Sequence, residues 1–139
     1  LPSTNRSLPI ALMRSRERVM APIREMLKAS GITEQQWRVL RILSEFGPQD
    51  LTEIASKASL LMPSLSRIIR KLGKDKLIMR AIDLDDRRRQ TVVIEPAGQK
   101  IIEDNLPQAT QIAAEFQRKL GSDRYEQLLD LLADLEQKN

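Results

Sequence analysis

The sequence has no cysteine and no histidine among its 139 residues. That excludes disulfides, thiol redox sensing, zinc-finger sites and catalysis by Cys or His. Glycine is sparse, with five scattered residues and no glycine-rich phosphate loop. No paired-carboxylate motif occurs. Only Lys, Asp, Glu, Ser or the single Tyr125 could serve catalysis, and none sits in a recognisable constellation. The chain is therefore expected not to be an enzyme and to carry no cofactor or metal. No apolar run reaches 18 residues, so no membrane-spanning helix is expected. No signal-peptide pattern is visible. A cytoplasmic protein without membrane association is the expectation. There is no internal repeat and no low-complexity tract.

What is present suits a soluble globular chain: 41% apolar and 30% charged residues. The length suggests one compact domain, able to bury about 68% of its unfolded surface. The net charge is +4, and its distribution says more than its size. Residues 57–89 hold ten basic residues (Lys57, Arg67, Arg70, Lys71, Lys74, Lys76, Arg80, Arg87, Arg88, Arg89) against four acids, a local charge of +6. Residues 90–139 carry −4, with nine acids against five basic residues. A localised basic block is an electrostatic footprint for a polyanion, usually nucleic acid; a solvated basic face without a partner is the plainer alternative.

Apolar spacings of four and seven (Leu8, Leu12, Val19, Ile23, Leu27) predict a helix over Ser7–Ala29, bent at Pro22 and ended by Gly31. Leu1 to Arg6 should be loose. Thr33 with Gln36 reads as a capping box opening a helix over 34–46, with Trp37, Leu40, Leu43 and Phe46 inward. Asp50 with Glu53 opens a short helix over Leu51–Ala58. After a turn, Pro63 suits the first turn of a helix running to Lys74. Leu77–Ile82 and Gln90–Glu95 read as a β-hairpin with a charged tip. Two more helices follow, over 97–120 with a bend at Pro107 and over Ser122–Gln137.

Two helices, a tight turn, a basic second helix and a hairpin predict a mainly α fold, a winged helix-turn-helix. Its second helix would enter the major groove with its N-terminal residues at base edges. Ser64 and Ser66 are short donors near that helix start. Arg67 is placed for bidentate guanine contact. Arg70, Lys71 and Lys74 suit phosphates. Arg87, Arg88 and Arg89 at the hairpin tip suit a narrow, electronegative minor groove. Helix capping for the serines and solvation for the cations remain open. A winged-helix protein-interaction module without DNA remains the alternative function.

Three stretches carry a resemblance to the MarR (multiple-antibiotic-resistance regulator) family of transcription factors. Residues Ile32 to Leu40 resemble the opening of the family's second helix, and Leu61 to Leu72 resemble its recognition helix. Asp86-Arg87-Arg88, twelve to ten residues before Gly98, resembles its D-x-R wing signature. The resemblance implies that Arg88 enters the minor groove with Asp86 bracing the wing. It also implies a symmetric dimer built from the first and last two helices. Two departures stand out: Lys76 and Glu95 occupy positions where the family often has Gly and Thr, so the turn into the wing and the start of the fifth helix could differ. Leu61–Arg67, with Ser7–Arg14 upstream, is similar to one subgroup, the regulators of homoprotocatechuate (a dihydroxyphenyl acetate) degradation.

The implied organisation is an N-terminal dimerisation segment (1–31), a DNA-binding domain (32–96) and C-terminal dimerisation helices (97–139). Leu8, Leu12, Val19, Leu128, Leu131, Leu132 and Leu135 would bury in the interface, unless the same helices pack within one chain. The resemblance further implies a small aromatic or phenolic acid as effector. Arg14, Arg16 and Arg18 crowd the first helix, and Arg38 and Arg41 crowd the second beside Trp37, the only tryptophan. An arginine can grip a carboxylate while a ring packs on a ring. Ser7, Arg14, Arg16, Trp37 and Arg38 are the candidate ligand residues. A core role for Trp37 and ion pairing for the arginines are the alternatives.

Overall fold

In this computed structural model, which describes residues 3–82, 85–86 and 90–138, the first helix, α1, spans Leu8–Leu27 and passes through Pro22 unbroken. A 3₁₀ turn at Thr4–Arg6 stands where a loose start is expected. A second such turn, Lys28–Ser30, ends at Gly31 in the left-handed region (φ 67°). Only Met26 and Leu27 of α1 are buried, so its stripe of Leu8, Leu12 and Val19 stays exposed.

Two capping boxes set the next two helices. Thr33 Oγ1 accepts the Gln36 N–H at 3.1 Å, and Gln36 Oε1 accepts the Thr33 N–H at 3.0 Å. Two orphan donors are thus satisfied reciprocally, and α2 runs Glu34–Phe46. After a two-residue strand, β1 (Gln49–Asp50), the Asp50–Glu53 box opens α3, Leu51–Ala58, with bonds of 2.8 and 3.2 Å. Helix α4, Met62–Lys74, starts with Pro63 in its first turn and buries Leu65, Ile68, Ile69 and Leu72.

Strands β2 (Ile78–Ile82) and β3 (Gln90–Ile94) pair antiparallel, in register from Ile78 opposite Ile94 to Ile82 opposite Gln90. On the other edge of β3, Gln49 faces Val92 and Asp50 faces Thr91, so the sheet has three strands in the order β1-β3-β2. The short β1 is absent from the sequence reading because two residues carry no periodicity. Leu27, Val39, Leu40, Leu43, Ile54, Leu65, Ile69, Leu72 and Val92 are fully buried.

Phe46, expected inward, is half exposed. It is the last residue of α2, and its ring lies 4.9 Å from the Lys57 ammonium. Val39, four residues before Leu43 on the same helix side, is buried instead.

The turn from α4 into β2 is a Schellman motif, in which the Leu77 N–H reaches the Leu72 carbonyl at 3.0 Å and the Lys76 N–H reaches that of Gly73 at 3.1 Å. Its pivot, Lys76, holds φ 61° without being glycine. The departure from the family's glycine therefore leaves the left-handed turn in place, at a steric cost of about 1–2 kcal/mol. Lys76→Gly is expected to stabilise the protein by about 0.5–1 kcal/mol, since the released strain exceeds the added freedom of the unfolded chain. A urea midpoint that does not rise would show that the turn is unstrained.

Helix α5 spans Pro96–Leu120 and passes through Pro107 unbroken. It starts at Pro96 although Glu95 replaces the family's threonine. Asn105 is buried on it, donating from Nδ2 to Ser30 Oγ at 2.8 Å and to the Ile101 carbonyl at 2.9 Å. The neighbouring Leu106 is turned outward and 45% exposed. The chain divides into two compact units, one up to Leu106 and one from Pro107. The second contains α6, Ser122–Glu136, which buries no side chain. Among the described residues no helix is long and apolar enough to cross a membrane.

Candidate nucleic-acid interface and effector cavity

Helix α4 is amphipathic. With Leu65, Ile68, Ile69 and Leu72 turned inward, Pro63, Arg67, Arg70 and Lys74 fall at spacings of three and four on the opposite side, all exposed. Arg67 Nη2 donates to Ser64 Oγ at 3.4 Å, so Ser64 steadies this arginine. Ser64 and Ser66 are half-buried. Lys71 is exposed but ion-paired, 3.2 Å from Asp75. The left-handed Ser59 (φ 56°) ends α3 and sets the turn into α4. Arg80 is exposed on β2. Arg87, Arg88 and Arg89 lie outside the described residues; Asp86 is half-buried.

A cavity of about 440 Å³ opens among α1, α2 and the end of α3. It brings together Arg16, Trp37 and Arg38 of the expected ligand residues; Ser7 and Arg14 do not line it. Ser7 is half-buried at the N-cap of α1, and Arg14 is exposed, donating to Asn5 Oδ1 at 3.3 Å. Met20, Ile23 and Ile42 supply apolar wall, and Trp37 is almost fully buried at 4% exposure. Four cations, Arg16, Arg38, Arg41 and Lys57, face two carboxylates, Glu34 and Glu45.

Most of these charges are already engaged. Glu34 Oε2 accepts from Arg38 Nε at 2.5 Å, and its other oxygen lies 3.7 Å from Arg16 Nη2. Arg38 Nη1 also donates to the Ala58 carbonyl at 2.6 Å, tying α2 to the end of α3. Lys57 Nζ donates to the buried Gln49 Oε1 at 2.5 Å. Charge counting groups Lys57 with the basic block; the fold puts it at this cavity. Glu34 pairs with the arginines as the ion-pair alternative has it, whereas Met20, Ile23, Ile42, Glu45 and Ala58 go unforeseen. The signal for several was available: Met20 and Ile23 follow Arg16 by four and seven, and Arg41 and Glu45 follow Trp37 by four and eight.

A helix-turn-helix whose second helix is basic on its open side, followed by a strand pair, defines the winged helix-turn-helix class of DNA-binding proteins. A family model described as MarR family matches residues 32–89. The chain is 34% identical to the HTH-type transcriptional regulator FarR of Neisseria gonorrhoeae, across 96% of this chain and 91% of that protein. It is 31% identical to the homoprotocatechuate degradative operon repressor of Escherichia coli, across 92% of this chain and 86% of the other. The crystal structure of NadR in complex with 4-hydroxyphenylacetate is similar with a TM-score of 0.86 at 32% identity, covering 100% of this chain and 99% of NadR. The chain belongs to the MarR family of transcriptional regulators.

Proposed function

We propose that this protein is a repressor that binds a pseudo-palindromic operator as a homodimer and is released by a small aromatic acid. A hydroxylated phenylacetate such as homoprotocatechuate is the first candidate. The observation that carries the reading is the exposed row Arg67, Arg70 and Lys74 opposite the buried face of α4. Ser64, Ser66 and Lys71 beside that row, and the wing-tip Arg87, Arg88 and Arg89, complete the DNA-contacting set. Residues 32–96 are the DNA-binding domain, and residues 1–31 and 97–139 form the dimer. Two-fold symmetry then sets two α4 helices about 34–36 Å apart, one turn of DNA.

The cavity supports the effector class. Its volume lies within the usual range for small-molecule sites. An aromatic ring meets Trp37 and the apolar wall, while a carboxylate meets an excess of cations. Among the described residues Arg41 is the cavity cation with no hydrogen bond or ion pair, so it is the anchor least costly to recruit. Arg38 joins the cavity to Ala58 at the end of α3, the residue just before the turn into α4. An acid that draws Arg38 from that carbonyl favours another placement of α4, shifting the population away from DNA.

Fluorescence anisotropy on the DNA upstream of the protein's own gene and its neighbours tests this reading. Affinity is expected to fall steeply as salt rises, because each phosphate contact releases counterions. Homoprotocatechuate or 4-hydroxyphenylacetate is expected to release the DNA. Arg41→Ala should keep DNA binding and weaken the effector response by at least about tenfold, the loss of a hydrogen bond to a charged group. An unchanged response would remove Arg41 from the site, and no salt-sensitive DNA binding would favour a protein-interaction module.

A further inference from the structure

The entry to α4 carries an apolar tip that the fold does not use. Leu61 is 78% exposed and Met62 is 43% exposed, and Pro63 beside them is exposed too. The inward side of α4 is complete without them. Leu61 is moreover the N-cap, in extended conformation (φ −75°, ψ 147°), with no side-chain capping bond. Serine, threonine, aspartate or asparagine at that position would satisfy an orphan N–H that leucine leaves to water. The chain thus forgoes both burial and capping at one residue. A local rule broken without structural gain marks a site kept for contact.

Pro63 lies on the same open side as Arg67, Arg70 and Lys74. Leu61 and Met62 come just before it, so the exposed tip stands at the N-terminal end of the helix, whose first residues meet base edges. On those edges the major groove offers one apolar group, the 5-methyl of thymine. Resting on the reading of α4 as the groove-entering helix, we propose that Leu61, with Met62 beside it, reads thymine through that methyl group. The arginines supply attraction and guanine or phosphate contacts. The apolar tip supplies discrimination that charge cannot.

The test uses the full chain and an operator enriched by it from a random duplex pool. Each thymine of one half-site is replaced in turn by deoxyuridine, which removes the methyl and leaves pairing and charge intact. At one or two positions the wild type is expected to lose affinity about fourfold, the factor for leaving one methyl-sized group in water. Leu61→Ala should bind the natural operator less tightly by a similar factor and lose nothing further on uridine substitution there. Tight binding indifferent to every substitution overturns this proposal alone. An equal loss in wild type and Leu61→Ala overturns it as well, by placing the methyl against some other residue. If no duplex is enriched and no salt-sensitive binding is seen, the DNA reading of α4 falls and this proposal with it.

Discussion

Gly98→Ala is expected to destabilise the protein by roughly 1–5 kcal/mol, although alanine is the better helix former. Gly98 lies in the first turn of α5, and a Cβ built there would run into the Leu77 carbonyl oxygen, 3.0 Å from Ile94 Cγ1 and 3.3 Å from Leu40 Cδ2. The carbonyl cannot easily turn aside. It accepts the Glu95 N–H at 2.9 Å, and the N–H of the same residue closes the Schellman turn onto the Leu72 carbonyl. One methyl thus loads the end of α4, the start of the wing and the start of α5 together. Overpacking costs about 1–3 kcal/mol, and a lost buried hydrogen bond adds about 1–3. Against this stands about 1 kcal/mol of helix propensity. Gly73→Ala is the control. It sits in α4 with nothing within 4 Å of the built Cβ, so propensity alone should stabilise it by up to about 1 kcal/mol. Thermal and urea unfolding of the two variants decide the matter: a rise for Gly98→Ala would show that the close approach relaxes freely.

Removing residues 122–139 is expected to abolish the proposed dimer and to weaken operator binding by about 10²–10⁴-fold, the advantage lost when two linked half-sites become separate events. Helix α6 buries no side chain, yet Leu128, Leu129, Leu131, Leu132 and Leu135 are each 38–58% exposed along it. A leucine stripe of that size asks for a covering surface. Among the described residues none of the buried core lies beyond Ile112, so the helix-turn-helix and wing should keep their own packing. Sedimentation reads the assembly, and circular dichroism reads the remaining helix. The full-length variant Leu131→Asp/Leu135→Asp should behave likewise without shortening the chain. A stable dimer in both proteins would overturn the interface.

The helices of the helix-turn-helix were legible because their ends are local. Thr33 and Gln36, Asp50 and Glu53, and Pro63 act within one turn, and the structure starts α2, α3 and α4 where they stand. The cationic row of α4 follows from the same logic, since helical spacing alone separates Arg67, Arg70 and Lys74 from Leu65, Ile68 and Leu72. The hairpin was legible from the change of period on either side of a charged tip. The cavity was only half legible. Trp37, Arg16 and Arg38 stood out by residue type, whereas Lys57 and Glu45 did not, because nothing along the chain tells which helix sides will face one another.

By itself, then, the order of residues determined the run of helices, the two-stranded wing and the basic face of α4, for these depend on contacts a few residues apart. Tertiary structure decided what depends on distant partners. It added Gln49 and Asp50 to the sheet as a third strand beside β3. It gave Asn105 a partner in Ser30, 75 residues away. It sent Arg38 to the Ala58 carbonyl, and it seated Gly98 where only a hydrogen fits against Leu77. Such pairings are set by how faces close on one another, and the energy that selects them exists only once the chain has folded.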